Sequence, residues 1–328
     1  MKTVVVTEVE FRKASASFEK ACAAGWKCIP APPGEAEVAE AIRRSGATHA
    51  VVGVQRYVAA LYDALPRGGV LARFGVGHDG VDKQKATAKG ILCVNTPGVL
   101  DDSVAEYALG LMLAAARHTL EMAAGCRAHQ WSPRVGTELL DKRLAVIGCG
   151  PIGCRVARAA SAGFGMHVVG AEIRDVDEEA LRQSFGFARV VKDFSAAVAG
   201  AHFVSLHIPN VPQTRHFINR ERLSQIPPSA WLINTARGAV VDESALFDAL
   251  NSGTLSGAAL DVFESEPYVP VDPGKDLRSL TNVILTPHVS SATHEACTRM
   301  AERALHNIAL AEAGNFSEMD LLNPEVLK

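Results

Sequence analysis

The feature that most limits the fold of this chain is a series of short runs rich in β-branched residues, separated by stretches of helical character. Runs of this length are typical of strands that are buried on both faces. Strands that alternate with helices predict parallel sheets with crossover helices on both faces, and therefore an α/β protein. The predicted strands are residues 3–6, 50–54, 70–74, 91–94, 144–147, 167–170, 203–206, 231–233, 258–260 and 283–285.

The composition is that of a soluble globular protein. The chain has 328 residues, of which 48% are hydrophobic and 21% charged, so it is long enough for two domains. A formal net charge of −3 gives no general attraction to nucleic acid or to anionic membranes. The longest apolar stretch, residues 104–116, is shorter than the roughly 20 residues that span a bilayer. We expect no nucleic-acid partner, no membrane anchor and a cytoplasmic location.

The seven cysteines are scattered along the chain and form neither a C-x-x-C pair nor a Cys/His cluster. This spacing predicts reduced, mostly buried thiols and no metal site.

A long apolar helix is predicted from residue 103 to about residue 117. Ser103 and Glu106 have the spacing of a capping box, in which both side chains satisfy backbone N–H groups at the helix start. Because the helix is apolar on nearly all sides, we expect it to be buried between domains or between subunits. A second alanine-rich helix is predicted at about residues 292–313, where it would return the chain to the first domain.

A glycine-rich loop follows the predicted strand 144–147 and precedes an amphipathic helix. Its sequence, GCGPIG at residues 148–153, has the spacing of a dinucleotide-binding loop, although glycine-rich turns also close many other strand-to-helix connections. Gly148 permits the tight turn, Gly150 lets a pyrophosphate approach, and Gly153 lets helix and strand pack closely. Pro151 suits a first helical position. The helix N-terminus then offers N–H groups and a positive dipole end to the phosphates.

An acidic residue stands at the end of the next predicted strand. Glu172 is placed to accept hydrogen bonds from the ribose hydroxyls of NAD and to repel the 2′-phosphate of NADP. Arg174, two residues later, can tolerate that phosphate or stack on the adenine. The residues favour NAD over NADP.

Three chemically distinct side chains follow three later apolar runs. Arg237 follows the run 231–234, Glu266 lies in the loop after 258–260, and His288 follows 283–287. A guanidinium can bind a carboxylate with two parallel hydrogen bonds, a histidine can move a proton, and an acid can keep that histidine charged. Each residue alone could equally be a surface or structural group. Together with a dinucleotide site at the carboxyl ends of the strands, they indicate hydride transfer to or from a hydroxy acid.

Several longer motifs occur between about residue 50 and residue 310. They are FGVGHDGVD (74–82), NTPG (95–98), VAE (104–106), the glycine loop, LHIP (206–209), NTARGAVVD (234–242), LDVFESEP (260–267) and TPH (286–288). In this order they resemble the D-isomer-specific 2-hydroxyacid dehydrogenases. The resemblance implies two doubly wound parallel-sheet domains and a homodimer. The Rossmann NAD-binding domain would comprise residues 103–291, and a flavodoxin-like substrate domain residues 1–102 and 292–328.

The resemblance also implies roles for individual residues. Arg237, Glu266 and His288 would form the catalytic set, and the backbone amides of Val76 and Gly77 would bind the substrate carboxylate. Arg56 is a further candidate for a charged substrate tail, although a solvated surface arginine explains it as well. Asp261 and the Thr235 main chain would hold the nicotinamide carboxamide. The implied cofactor-binding residues are Gly148, Gly150, Pro151, Ile152, Gly153, Glu172, His207, Pro209, Thr235, Ala236 and Asp261.

We therefore predict an NAD-dependent oxidoreductase that interconverts a D-2-hydroxy acid and its 2-oxo acid. His288 is the expected acid/base, Glu266 its partner, and Arg237 the ligand of the substrate carboxylate or carbonyl. One alternative is an NADP-preferring glyoxylate or hydroxypyruvate reductase, and D-3-phosphoglycerate or a bulkier acid also stays open as substrate. The other alternative is an NAD(H)-sensing interaction protein similar to transcriptional corepressors.

Overall fold

The computed structural model describes residues 2–328 and divides them into two α/β units. The first unit consists of the chain up to Leu100 together with Ala292–Lys328, and the second of Asp101–Ser291. The strands are β1 (Thr3–Thr7), β2 (Lys27–Ala31), β3 (His49–Val52), β4 (Val70–Arg73), β5 (Leu92–Val94), β6 (Arg143–Ile147), β7 (His167–Ala171), β8 (Phe187–Val191), β9 (Phe203–Leu206), β10 (Trp231–Asn234), β11 (Gly257–Leu260) and β12 (Val283–Leu285).

Helices connect most of these strands. They are α1 (Glu8–Lys13), α2 (Ser15–Ala23), α3 (Glu35–Ser45), α4 (Ala60–Ala64), α5 (Lys83–Ala88), α6 (Asp101–Ala116), α7 (Thr119–Arg127), α8 (Pro151–Phe164), α9 (Glu178–Phe185), α10 (Phe194–Val198), α11 (Arg220–Gln225), α12 (Glu243–Asn251) and α13 (His294–Glu312). No helix within residues 2–328 combines the length and the apolar character that a bilayer crossing requires.

Both sheets are doubly wound and their paired strands run parallel. The first has the order β2-β1-β3-β4-β5, which is the flavodoxin-like order. The second has the order β12-β11-β10-β9-β6-β7-β8, which extends the Rossmann order by one strand. The order reverses between β1 and β3 in one sheet and between β6 and β9 in the other. The predicted fold class is confirmed, and these reversals mark the two places where such sheets bind ligands.

Alternating side chains of the second sheet enter two separate cores. In β6, Leu144 and Val146 pack with residues of α6 and α8, whereas Ala145 and Ile147 pack with residues of α10, α11 and α12. This alternation follows from the two-residue period of a strand. It explains why the strands read as unbroken apolar runs, because both faces of the sheet are covered.

Most residues of the apolar helix α6 are buried within the second unit, whereas Leu113 is 37% exposed. The buried residues of α6, Met112 among them, belong to the same core as those of α8. The predicted capping box is wrong, because α6 begins at Asp101 and Ser103 therefore lies inside its first turn. Arg155 of α8 pairs with the carboxylates of Asp101 and Asp102 at distances of 3.2 and 2.7 Å. Acidic side chains in the first turn favour a helix start there, because they face the positive dipole end.

Two edge strands were absent from the predicted set. In β2, Lys27 and Pro30 are exposed, and in β8 only Phe187 is fully buried. Because an edge strand pairs on one side only, it tolerates proline and polar residues, and in β2 and β8 these residues interrupt the apolar run.

Candidate active site

The glycine-rich loop connects β6 to α8 at the point where the strand order reverses. Gly148 has a φ of 97°, a conformation that favours glycine. A Cβ at Gly153 would lie 2.1 Å from the carbonyl oxygen of Gly148, so the close approach of helix and loop excludes a side chain. A Cβ at Gly150 would meet no atom within 4 Å, which leaves open space at the N-terminus of α8. Pro151 is the first residue of α8. This geometry fits a bound pyrophosphate.

Glu172 directly follows β7 and is 7% exposed. Its Oε2 accepts from the backbone N–H of Cys149 at 3.1 Å and from Nη2 of Arg174 at 2.7 Å, and its Oε1 accepts from Nε of Arg174 at 3.0 Å. The hydrogen bonds from Arg174 lower the pKa of Glu172 against the opposing effect of burial. A charged carboxylate is therefore fixed beside the glycine loop, with the Arg174 guanidinium bound to it.

His207 lies at the end of β9, next to the glycine loop. A Cβ at Gly148 would lie 2.6 Å from the His207 carbonyl oxygen, and the His207 ring bonds to the Ser205 hydroxyl at 2.8 Å. Burial lowers the pKa of His207 to about 4, so its ring is neutral at physiological pH. Of the other residues predicted on this side, Pro209 is exposed and Ala236 is half-buried.

Thr235 and Asp261 follow β10 and β11. The Thr235 hydroxyl is buried and has no hydrogen-bond partner in the described part of the chain, as expected of a group that awaits a ligand. Asp261 is fully buried, and its carboxylate accepts from the Thr286 hydroxyl at 2.7 Å and from the N–H groups of Val289 and Ser290 at 3.0 and 2.8 Å. A carboxylate has about four acceptor positions, so one remains for a carboxamide.

His288 and Glu266 are in direct contact. Nδ1 of His288 lies 2.6 Å from Oε2 of Glu266, and the two side chains are 22% and 24% exposed. His288 has a φ of 53°, which is uncommon for a residue other than glycine, and its N–H donates to the Asp261 carbonyl at 2.8 Å. Burial alone would raise the pKa of Glu266. The bond to His288, the N–H of Phe263 and the charge of Arg237 together lower it.

Arg237 lies between β10 and the short 3-10 helix Gly238–Val240. Its Nη1 donates to the Ala236 carbonyl at 2.5 Å, and its charge acts on Glu266. A Cβ at Gly238 would lie 1.8 Å from the carbonyl carbon of Phe263. The turn that carries Arg237 and the loop that carries Glu266 therefore pack backbone against backbone. The second unit brings together the three side chains that the sequence places far apart.

The predicted substrate-carboxylate loop lies in the first unit and follows β4. The Gly75 N–H donates to the Thr96 hydroxyl at 3.0 Å, and the Asn95 side chain donates to the Val76 carbonyl at 2.7 Å. The N–H groups of Val76 and Gly77 have no acceptor within residues 2–328, so both can donate to an anion. Arg56 is exposed in the loop after β3.

Sequence reasoning did not identify Glu243 and Glu264 as part of this region. In the structure Glu243 is 5% exposed and accepts from the Glu264 N–H at 2.5 Å. A contact between residues about twenty positions apart has no local sequence pattern, so the sequence did not indicate it. The available signal was the pair of glutamates on either side of Ser265.

The sequence from residue 109 to residue 290, more than half of the chain, matches the family described as "D-isomer specific 2-hydroxyacid dehydrogenase, NAD binding domain". The chain belongs to the D-isomer-specific 2-hydroxyacid dehydrogenase family. The dehydrogenase is 36% identical over 309 residues to a glyoxylate reductase of Korarchaeum cryptofilum, with 92% of this chain and 90% of that protein covered.

Further relatives agree with this assignment. The dehydrogenase is 40% identical over 268 residues to glyoxylate/hydroxypyruvate reductase B of Pectobacterium carotovorum, with 80% and 81% of the two chains covered. It resembles the crystal structure of an NADPH-dependent glyoxylate/hydroxypyruvate reductase from Sinorhizobium meliloti in complex with NADP and malonate. The TM-score is 0.80 at 29% identity, and 99% of this chain and 97% of that one are covered. The predictions of the family and of an oxidoreductase that interconverts hydroxy and oxo acids are confirmed.

Proposed function

We propose that this dehydrogenase reduces a small 2-oxo acid of the glyoxylate or hydroxypyruvate class to the corresponding 2-hydroxy acid, as the D isomer where the product is chiral. The observation that carries the proposal is the 2.6 Å contact between His288 Nδ1 and Glu266 Oε2, at the same sheet edge as the glycine loop. The substrate class rests on the relatives that are named glyoxylate and hydroxypyruvate reductases.

In this proposal His288 is the acid/base. Because Nδ1 faces Glu266, the other ring nitrogen, Nε2, donates a proton to the substrate oxygen during reduction and accepts it during oxidation. The ionised Glu266 stabilises the imidazolium through a charge-assisted hydrogen bond worth about 1.5–3 kcal/mol. A bound nicotinamide dinucleotide supplies the hydride for reduction.

Arg237 and the 76–77 backbone bind the substrate in this proposal. The guanidinium holds the carboxylate and neutralises negative charge that develops on the carbonyl oxygen. The N–H groups of Val76 and Gly77 are proposed to donate to a substrate carboxylate. Arg56 is proposed to bind only substrates with an anionic tail, which glyoxylate and hydroxypyruvate lack.

Steady-state rates across a panel of 2-oxo acids test the substrate class. The panel consists of glyoxylate, hydroxypyruvate, pyruvate, 3-phosphohydroxypyruvate and a bulky branched 2-oxo acid. We expect the highest kcat/KM for glyoxylate or hydroxypyruvate. A preference for the phosphorylated acid would contradict this choice and would favour a role for Arg56.

We also propose that NAD is the preferred cofactor, because the charged Glu172 carboxylate repels a 2′-phosphate. Glu172→Ala should remove this repulsion and release Arg174, so that the guanidinium can bind the phosphate. The expected result is a lower KM for NADPH and a higher KM for NADH. Ratios of kcat/KM for the two cofactors measure the change, and Asp175→Ala, at an exposed acid of the same loop, is the control. A parent enzyme that already prefers NADPH would contradict the proposal.

We further propose a homodimer and a cytoplasmic location. The exposed apolar side chains that support a dimer are Leu120, Trp131 and Val135, which are 52%, 87% and 96% exposed, together with Leu113 of α6, which is 37% exposed. Light scattering should give twice the monomer mass, and a monomer at all concentrations would exclude the dimer.

The cytoplasmic location is supported by the unpaired thiols, because exposed thiols such as those of Cys22 and Cys126 persist in reducing compartments.

A further inference from the structure

Glu243 and Glu264 form a reciprocal pair of hydrogen bonds. Oε1 of Glu243 accepts from the Glu264 N–H at 2.5 Å, and Oε1 of Glu264 accepts from the Glu243 N–H at 3.3 Å. Oε2 of Glu264 bonds to Nε2 of His216 at 2.8 Å. Glu243 is the first residue of α12, and both side chains are at least nine-tenths buried. The start of α12 is therefore tied to the loop 263–266.

The same loop carries Glu266. Two glutamate side chains hold the backbone of the loop 263–266. Glu266 accepts from the Phe263 N–H at 3.0 Å, and Glu243 accepts from the Glu264 N–H. Gly238 leaves no space between the loop and the turn beneath it. A rotation of the loop that displaces Glu266 from His288 must therefore break the bond between Glu243 and Glu264.

We propose that Glu243 is a positioning residue, which places Glu266 against His288 by fixing the loop 263–266 to α12. The inference rests on the proposed function, since it concerns how the Glu266–His288 pair is held. Glu243 does not contact His288 itself in this account. Its effect is transmitted through the backbone of the loop.

The electrostatic surroundings of Glu243 support a role for its neutral form. Its Oε2 is buried and has no hydrogen-bond partner within residues 2–328. Burial, with a smaller contribution from the charges of Glu264 and Glu266, raises the pKa of Glu243 to about 7, against the opposing effects of the Glu264 N–H and of His216. Tyr268 is a further ionisable neighbour, whose pKa is raised by burial and by the Glu243 charge, and the Arg215 guanidinium lies 3.5 Å from Oε2 of Glu264. Ionisation of Glu243 would place a third negative charge beside two others.

The sign of the resulting pH dependence follows from this shift. A carboxyl group whose pKa is raised in the folded state does not lower the free energy of unfolding at pH values below its unfolded-state pKa. As the pH rises from the unfolded-state pKa to the folded-state pKa, the free energy of unfolding falls. The loop should therefore loosen as the pH rises towards about 7 and beyond. Glutamine keeps the Oε1 acceptor and cannot ionise, whereas alanine removes the acceptor.

Glu243→Gln and Glu243→Ala test the inference in the full-length enzyme. We expect Glu243→Ala to lower kcat between about 10-fold and 100-fold, as small displacements of catalytic groups do, with little change in the Kd for NADH. At acidic pH, Glu243→Gln should have the kcat of the parent enzyme. At alkaline pH, its kcat should fall less than that of the parent, because glutamine cannot ionise. The control is Glu221→Ala, which removes an exposed first-turn glutamate of α11 and should leave kcat unchanged.

A thermal measurement that does not depend on turnover accompanies the kinetics. The Tm of Glu243→Gln relative to the parent should rise from about pH 5 to about pH 8. A folded Glu243→Ala variant with parental kcat and pH profile would overturn the inference while leaving the proposed function intact. If Glu243→Ala does not fold, a Glu243→Gln variant with the pH profile and Tm dependence of the parent overturns it. A parent enzyme that reduces no 2-oxo acid refutes the proposed function itself, and this inference with it.

Discussion

Replacing His288 with alanine should lower kcat for 2-oxo acid reduction by roughly 10²–10⁴-fold, the usual contribution of a positioned acid/base. The variant loses the proton donor at the substrate oxygen. It also leaves Glu266 without the partner that its Oε2 contacts at 2.6 Å. NADH affinity should change little, because the phosphate site at the start of α8 is built from the glycine loop and does not include His288.

Rapid mixing of enzyme, NADH and substrate under single-turnover conditions measures this effect on the chemical step. Titration of the NADH fluorescence gives cofactor affinity separately. His167→Ala is a matched control, since His167 is an exposed histidine of the same unit, with 66% of its side chain accessible, and lies at the opposite end of a strand. A His288→Ala variant with parental turnover would exclude His288 as the acid/base.

Replacing Gly238 with alanine should disrupt both stability and turnover. The added Cβ would lie 1.8 Å from the Phe263 carbonyl carbon and 2.4 Å from the Glu264 nitrogen, so the backbone on one side must move. Overpacking of this kind costs typically about 1–3 kcal/mol, and at roughly 2–4 °C per kcal/mol the Tm should fall by several degrees. Because the displaced segment carries Glu266, kcat should fall by at least about 10-fold.

Gly163→Ala is the matched control for this prediction. Gly163 lies in α8 of the same unit, and a Cβ there would meet no atom within 4 Å. Alanine should be neutral or slightly stabilising, because glycine within a helix costs about 0.5–1 kcal/mol relative to alanine. Equal Tm and kcat for Gly238→Ala and Gly163→Ala would show that the loop does not pack as described.

The central strands could be predicted from the sequence because burial on both faces requires an unbroken apolar run. The boundaries of the central strand β9 are those expected from the run 203–206. The edge strands β2 and β8 could not be predicted in this way, since one hydrogen-bonding side and parts of both faces are exposed. The start of α6 was misplaced because the spacing of Ser103 and Glu106 mimics a cap, while the acidic pair at 101–102 begins the helix.

The contact between His288 and Glu266 was anticipated from chemistry, because each residue follows a strand of one parallel sheet and the carboxyl ends of such strands lie at one edge. The network around Glu243 could not be anticipated in that way. Its bonds run from a side chain to a backbone N–H about twenty residues away, and neither residue type nor spacing distinguishes them from solvated surface acids. The bonds to the Asp261 carboxylate from the Val289 and Ser290 N–H groups are of the same kind.

The most direct test of the account is a crystal structure of the enzyme with NADH and oxamate, a non-reducible analogue of a 2-oxo acid. The distances to be measured join the oxamate carboxylate to the Arg237 guanidinium and the oxamate carbonyl oxygen to His288 Nε2. We expect the Arg237 guanidinium to bind the oxamate carboxylate and His288 Nε2 to lie within hydrogen-bond distance of the carbonyl oxygen. Oxamate bound away from His288, or a dinucleotide whose pyrophosphate does not lie at the glycine loop, would contradict it.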